Sequence, residues 1–325
     1  MSHAVMADRL GPLENYSLRE HDPGPPGPGQ LRIAVKAAGV SFVDVLNATG
    51  RYQDKAPVPF IPGSEFAGVI ESMGPGVEGL SAGQAVMASS WGGAFAQLAI
   101  VPARSTSPLP AGMTFAQAAV FKVSALTAWH ALVDRARLQA EETLLVLGAG
   151  GATGYAAVQV GSHLGARVIA SASSAAKRAM ALDGGADVAV DAGSGRWREE
   201  VQAANAGRPV DVVFDPVGGD ATEPAFRCLG WEGRHLVIGF PRGIARLPSN
   251  LPLLKGASLV GVNLQQLSAN APGKAASNTR HLLEMAEKGL FLPVVAKAYP
   301  LDQFATAMRE VEAGRSAGRI VLVMA

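Results

Sequence analysis

The chain has 325 residues, 48% hydrophobic and 17% charged, with a formal net charge of +1. This is globular composition, of a length that suits about two domains and a core that needs no covalent staples. One cysteine, Cys228, excludes an intramolecular disulfide and fits a reducing compartment, and the lack of a basic run leaves nucleic-acid binding without electrostatic support.

In chain order, "MSHAVMADRLGP" carries charges early and no apolar core, so it does not read as a secretory signal. The first part, to about residue 118, holds short β-like runs broken by Pro and Gly, such as "LRIAVKAAGV", "FAGVIESMG" and "GQAVMASS". The Pro/Gly stretch "DPGPPGPGQ" leads straight into a strand and reads as a rigid surface loop. The second part alternates. "TLLVLG", "RVIASAS", "DVAV", "VDVVFD", "RHLVIGF" and "SLVGVNL" read as strands. "GYAAVQVGSHLGA", "AAKRAMALDGGA", "WREEVQAANAG" and "ATEPAFRCLGWEG" read as helices between them. Continuous apolar strands separated by helices predict a parallel, doubly wound sheet, an α/β fold. The tail, "FLPVVAKAYPLDQFATAMREVEAGRSAGRIVLVMA", returns to strand–helix–strand and is expected to rejoin the first part, because the sheet already has six strands. The expected organisation is 1–118, 119–289 and 290–325. The charge-free window from Thr143 to Ala166 is long enough to cross a bilayer, but six glycines, Gln159 and His163 mark it as strand, turn and helix. A soluble, cytoplasmic protein with no membrane association is expected.

The run "LLVLGAGGATGYAAVQ" places Gly148, Gly150, Gly151 and Gly154 between the first strand of that sheet and its first helix. Free N–H groups and a positive dipole end at such a helix start can hold a pyrophosphate, provided no Cβ intervenes. The spacing G-x-G-G-x-x-G is one residue longer than the usual fingerprint. The competing explanation is tight helix–strand packing with no ligand. Where an NAD site offers an acid to the ribose, this chain has Ala172, with Ser171, Ser173 and Ser174 around it and Lys177 and Arg178 one turn later. Hydroxyls and a cation suit the 2′-phosphate of NADPH.

Several segments together resemble one family: "KAAGVSFVDVLNATGRY", "PVPFIPGSEFAGVI", "SALTAWHAL", "VFDPVGGD", "LVIGF" and "GRIVLV". They are similar to the zeta-crystallin-like, zinc-free quinone oxidoreductases of the medium-chain dehydrogenase/reductase superfamily. The resemblance implies a GroES-like, β-rich catalytic domain interrupted by a Rossmann domain, with NADPH in the cleft between them. It implies that Tyr52 and Thr127 face the nicotinamide half, and that Gly150, Gly151, Ala152 and Thr153 hold the pyrophosphate. Ser173 and Lys177 would hold the adenosine phosphate, and Gly218, Gly239, Phe240, Asn263 and Leu264 would line the walls. Arg319 replaces a lysine common just before the last strand. Ser41 stands where the family often has Asn, and Leu46 where some members have Tyr. The resemblance also implies a homodimer joined through the edge strand of "SLVGVNL".

The zinc-dependent branch of the superfamily uses Cys and His ligands; where they would fall, this chain has Ser41 and Ser64. His3, His21, His130, His163, His235 and His281 show no ligand spacing and read as surface or helix histidines, so no metal is expected. Tyr52, Ser41 and Thr127 are the candidate catalytic residues. Tyr52 can donate a hydrogen bond to an acceptor carbonyl or shield the ring by packing. Asp44, three residues after Ser41, reads as a helix-start acid. Trp129 and His130 read as packing. No nucleophile–base arrangement stands out, which suits hydride transfer to a quinone or enone by positioning. The alternatives are an enoyl-thioester reductase, for which Arg242, Arg246 and Lys255 are weak phosphate contacts, and a non-catalytic NADPH-binding protein.

Overall fold

The computed structural model describes residues 2–324. The chain divides into two compact units, Met1–Val123 with Leu292–Ala325, and Ser124–Phe291.

The first unit is built on the long strand Gln30–Val40. One edge of this strand pairs antiparallel with Glu65–Met73. Its other edge is shared: the first half pairs with Leu98–Pro102 and the second half with Arg319–Val323. Val295–Pro300 lies parallel to Arg319–Val323, and Ala85–Ser89 and Thr106–Pro108 complete a seven-stranded sheet beyond Glu65–Met73. Alternation along Gln30–Val40 buries Leu31, Ile33 and Val35 in a core with Phe66, Ile70 and Phe95. The helix Phe304–Ala313 adds Phe304, Ala307 and Met308, with Val311 packed alongside, a stripe at i, i+3, i+4 and i+7. Each fully buried large side chain of this kind contributes about 1.5–3 kcal/mol.

The second unit carries a six-stranded parallel sheet in the order Val188–Asp191, Arg167–Ala172, Thr143–Val146, Val210–Asp215, Leu229–Val237, Ser258–Gly261. Leu144, Leu145, Val146, Val212, Val213 and Phe214 have no exposed surface, as expected of strands covered on both faces. Numbered along the chain, the order is 3-2-1-4-5-6. Its direction reverses between Thr143–Val146 and Val210–Asp215, where doubly wound sheets place their ligands. Among the described residues no helix is long and apolar enough to cross a membrane.

Two sequence expectations need correction. "ATEPAFRCLGWEG" is a helix only over Thr222–Arg227, and from Leu229 it is strand. Gly230 and Gly233 are poor helix residues, and Glu232 takes φ 59° beside a register shift against Val210 and Val212, so this end of the strand is bulged. "SLVGVNL" is strand only over Ser258–Gly261, after which Asn263 caps the helix Leu264–Asn270.

One carboxylate fastens the returning tail. Glu310 accepts hydrogen bonds from Lys297 at 2.7 Å, the Tyr299 hydroxyl at 2.5 Å and the Ser316 hydroxyl at 2.5 Å. These bonds, Lys297 first, lower its pKa to about 2. The folded value lies below the unfolded one, so the stabilisation is fully present above the ordinary carboxylate range and is lost as pH falls towards about 2. Glu310→Gln should therefore melt lower than the parent at pH 7, with the gap closing as pH falls through this window. Thermal melts across pH check this, and a pH-independent gap would refute it.

Candidate functional site

In the second unit the glycine run forms the turn between Thr143–Val146 and the helix Ala152–His163. The turn is anchored to the strands on either side, Leu147 N–H to the Phe214 carbonyl and Ala149 N–H to the Ser171 carbonyl, both at 3.0 Å. Gly148 has φ 56°, and its carbonyl accepts the Gly151 N–H at 2.8 Å. A Cβ at Gly154 would lie 2.2 Å from that same carbonyl, and one at Gly150 would lie 2.5–2.9 Å from the Cβ, Cγ and Cδ of Lys177. Packing therefore accounts for Gly148, Gly150 and Gly154. Gly151 is different: it is exposed, its φ is −93°, and a Cβ there would meet only the Gly148 carbonyl, at 3.2 Å. As the N-cap it offers no side chain, and the helix's first backbone bond is Tyr155 N–H to the Gly151 carbonyl. The amides of Ala152, Thr153 and Gly154 precede that bond, at the positive end of the helix dipole.

Lys177 joins the two halves of the sequence signal. Ser174 caps the helix Ala175–Asp183 by accepting the Lys177 N–H at 3.3 Å, and the Lys177 stem lies across Gly150. Burial, then the positive charge of Arg242, lowers the pKa of its ammonium. Ser173 is exposed beside it. Ser171 faces inward and accepts the Trp197 indole N–H at 2.8 Å. Ala172 is 2% exposed, and Arg178 is held by the Ala172 carbonyl and by Asp191, both at 3.1 Å.

The turn after Val210–Asp215 is organised by Asp215. One carboxylate oxygen accepts the N–H groups of Val217 and Gly218, each at 2.9 Å. The other accepts the Thr222 hydroxyl at 2.7 Å and pairs with His235 Nε2 at 3.0 Å. Burial opposes ionisation, but hydrogen bonds from His235, Gly218 and Thr222 outweigh it and hold the carboxyl below its ordinary pKa. His235 has no exposed surface and lies in the strand Leu229–Val237, which corrects its reading as a surface or helix histidine. The Gly219 N–H binds the Gly243 carbonyl at 2.7 Å and the Arg242 N–H binds the Val217 carbonyl at 3.1 Å. Gly218, with φ 71°, packs against Phe240 and Gly243. Gly148, Gly150, Gly151, Gly218, Gly239 and Phe240 thus lie in segments that follow the carboxyl ends of the interior strands, and Ala152, Thr153 and Lys177 in the first turns of the helices that come next. Asn263 and Leu264 follow the neighbouring edge strand, where the Asn263 side chain accepts from Gln265 and Gln266 N–H. Thr127 is buried on the helix Lys122–Trp129, and His130, which follows it, pairs with Asp134 at 2.7 Å.

In the first unit Ser41 caps the helix Phe42–Ala48. Asp44 accepts both the Ser41 N–H at 2.8 Å and the Ser41 hydroxyl at 2.6 Å, which bears out the reading of Asp44 as a helix-start acid. Asp44 is 2% exposed; burial raises its pKa against hydrogen bonds from Ser41 and Ser64. Behind it, Arg319 Nη2 lies 3.8 Å from Glu65, and Glu65 accepts the Val123 N–H at 2.8 Å. Burial raises the pKa of Glu65 and lowers that of Arg319. Arg319 is therefore placed inside this unit's buried charge cluster. Tyr52 is half-buried, with its ring edge-to-face to Trp91 at 5.5 Å. Sequence reasoning missed the organising role of Asp215, whose signal is an acid ending an apolar strand just before Pro-Val-Gly-Gly. It also missed the aromatic pair at Trp91.

The alcohol dehydrogenase GroES-like family matches residues 27–111, and the zinc-binding dehydrogenase family matches residues 152–278. Quinone oxidoreductase-like protein 2 of Mus musculus is 34% identical over 308 residues, 94% of this chain and 88% of that protein. A mycobacterial protein solved in complex with NADPH superposes with a TM-score of 0.91 at 27% identity, over 99% of this chain and 100% of that one. The Escherichia coli quinone oxidoreductase in complex with NADPH gives 0.90 at 25% identity, over 99% of each chain. The chain belongs to the quinone oxidoreductase-like family of the medium-chain dehydrogenase/reductase superfamily.

Zinc does not fit the residues present. Ser41 and Ser64 stand where the resemblance would put zinc ligands, the Ser41 proton is directed at Asp44, and among the described residues no group of three or more His, Cys, Asp or Glu converges. The glycine turn does fit a dinucleotide: an uncapped helix start, a bare Gly151 and a lysine laid across the turn.

The glycine accounting gives a paired prediction. Gly154→Ala forces a backbone shift and should lower stability by about 1–3 kcal/mol. Gly151→Val should stay folded with close to parental stability, yet lose at least about tenfold in NADPH affinity, because the branched side chain occupies the anion's approach to the helix start. Denaturation and cofactor titration of both variants check this. Unchanged affinity in Gly151→Val would show that all four glycines serve packing.

Proposed function

We propose that the protein is an NADPH-dependent oxidoreductase that transfers hydride to a quinone or other α,β-unsaturated carbonyl without zinc. The observation that carries the cofactor choice is the Lys177 stem across Gly150, with Arg242 close enough to act on its ammonium. Two cations beside an uncapped helix start suit a nucleotide that carries a 2′-phosphate as well as a pyrophosphate. The NADPH bound by the mycobacterial and Escherichia coli proteins supports the same choice. Bound there, NADPH supplies the hydride.

The chain's own residues then bind and orient. The amides of Ala152 and Thr153 hold the pyrophosphate, and Ser173, Lys177 and Arg242 hold the adenosine phosphate. Gly218, Gly239, Phe240, Asn263 and Leu264 form the walls. Thr127, Tyr52 and Arg319 complete the assignment, with Thr127 and Tyr52 at the nicotinamide end. Tyr52 donates a hydrogen bond to the acceptor oxygen. Ser41 acts with Asp44, whose buried carboxyl accepts the Ser41 proton at 2.6 Å. An electron-poor acceptor needs no stronger acid, which favours quinones and enones over alcohols. We propose a homodimer through the edge strand Ser258–Gly261, where Trp231, Leu253, Leu254 and Leu259 are 50–80% exposed.

The test is NADPH oxidation with a quinone panel, an acyclic enone and a CoA thioester, before and after chelation. Turnover of quinones unaffected by chelator is expected. Preference for the thioester would favour the enoyl-reductase reading, and tight NADPH binding with no turnover would favour a binding protein. A charge-assisted hydrogen bond of roughly 1.5–3 kcal/mol predicts a ten- to hundredfold preference for NADPH over NADH. Lys177→Ala should remove most of it through weaker NADPH binding, with NADH little changed. Paired dissociation constants at one ionic strength check this, and an unchanged ratio would move the phosphate contact to Arg242. An acid placed at Ser173, which is exposed, is a cleaner way to favour NADH than one at the buried Ala172.

A further inference from the structure

Trp91 is 55% exposed. A large indole in water forfeits the burial that normally retains such a side chain, so its position calls for another explanation. Mobility of the segment does not supply one. The Ser90 N–H binds the Ser64 carbonyl at 2.9 Å, the Ser90 hydroxyl binds the Gly92 carbonyl at 2.6 Å, and the Gly93 N–H binds the Ile61 carbonyl at 2.8 Å. Gly92 has φ 133°, and a Cβ there would lie 2.8 Å from both the Ile61 carbonyl and the Phe60 ring. The turn is therefore pinned on both sides of Trp91 to the segment Phe60–Ser64. The indole's ring neighbour is Tyr52, edge-to-face at 5.5 Å and 65°. That contact packs an edge against the indole and leaves more than half of it in solvent. Ser64, to which the turn is tied, shares a hydrogen bond with Asp44, and Asp44 accepts the Ser41 hydroxyl.

We propose that Trp91, held by Tyr52, is a stacking platform for the ring of a planar, electron-poor acceptor, and that it selects quinones over acyclic enones and thioesters. This rests on the hydride-transfer reading above and names its substrate class. An indole is electron-rich and a quinone ring electron-poor, so face-to-face contact is attractive as well as apolar. A rigid platform binds without first losing side-chain freedom. An acyclic enone presents no ring to stack.

The test uses Trp91→Ala and Trp91→Phe in the full chain. The binding probe is 2,3-dimethyl-1,4-naphthoquinone, whose ring positions are blocked against thiol addition, applied without NADPH so that nothing is reduced. Trp91→Ala should raise its Kd about tenfold, the scale of one stacked ring, and Trp91→Phe should restore most of the affinity. In turnover with NADPH, Trp91→Ala should raise KM for 1,4-naphthoquinone with kcat within about twofold. The ratio of kcat/KM for naphthoquinone to that for but-3-en-2-one should fall by the same factor of about ten. Equal probe Kd in parent and Trp91→Ala, no binding by the parent, or equal loss on both acceptors overturns the platform. Binding that depends on Trp91 in a parent that oxidises no NADPH would leave the platform standing and remove the hydride-transfer reading. Quinone turnover indifferent to Trp91→Ala would do the reverse.

Discussion

The buried carboxylate of Asp215 is the constraint on which the turns at the carboxyl ends of the second unit's interior strands depend. A charge so placed is costly unless every lone pair is met, and here two amides, a hydroxyl and an imidazole meet them. Those bonds set the path of residues 216–219. Val217 then abuts Gly148, and Gly218 and Gly219 lock against Phe240, Arg242 and Gly243. The glycine turn, the Pro-Val-Gly-Gly turn and the segment carrying Arg242 hold one another at the point where strand order reverses.

The first unit solves a similar problem differently. Asp44, Glu65 and Arg319 are all less than 9% exposed; burial opposes the charge on each, hydrogen bonds from Ser41 and Ser64 support that on Asp44, and Arg319 and Glu65 support one another. The Asp44 carboxylate doubles as the cap of a short helix, so the Ser41 hydroxyl is oriented by backbone geometry as well as by charge.

Much of this was legible in the sequence. The α/β class, the parallel strands and the glycine turn follow from apolar runs of the right length and from glycines where a strand gives way to a helix. The failures have physical causes. "ATEPAFRCLGWEG" begins with helical spacing, but its glycines and a bulge hand the second half to a strand, and local propensity cannot show which strand is waiting beside it. His235 looked like any histidine, because only the fold brings Asp215 beneath it. Ser171 and Ser173 look equivalent in sequence, yet Ser171 lies inside the strand Arg167–Ala172 and meets the Trp197 indole, while Ser173 falls just past the strand's end and is exposed. Trp91 carried no periodic signal, since its setting is a turn built from bonds to a segment almost thirty residues earlier.

The two strands that share one edge of Gln30–Val40 come from opposite ends of the chain's order, Leu98–Pro102 early and Arg319–Val323 last. During synthesis, the early half of that edge can pair while the later half stays open until residues 319–323 have emerged. The second unit, Ser124–Phe291, is continuous and has all its strands sooner. Vectorial folding would therefore complete the parallel-sheet unit first and leave an apolar strand edge at Ala37–Val40 waiting for its partner. An unpaired, buried-type edge is a template for wrong pairing, so slow or interrupted elongation before Arg319–Val323 is made would expose this protein to aggregation at that strand in particular.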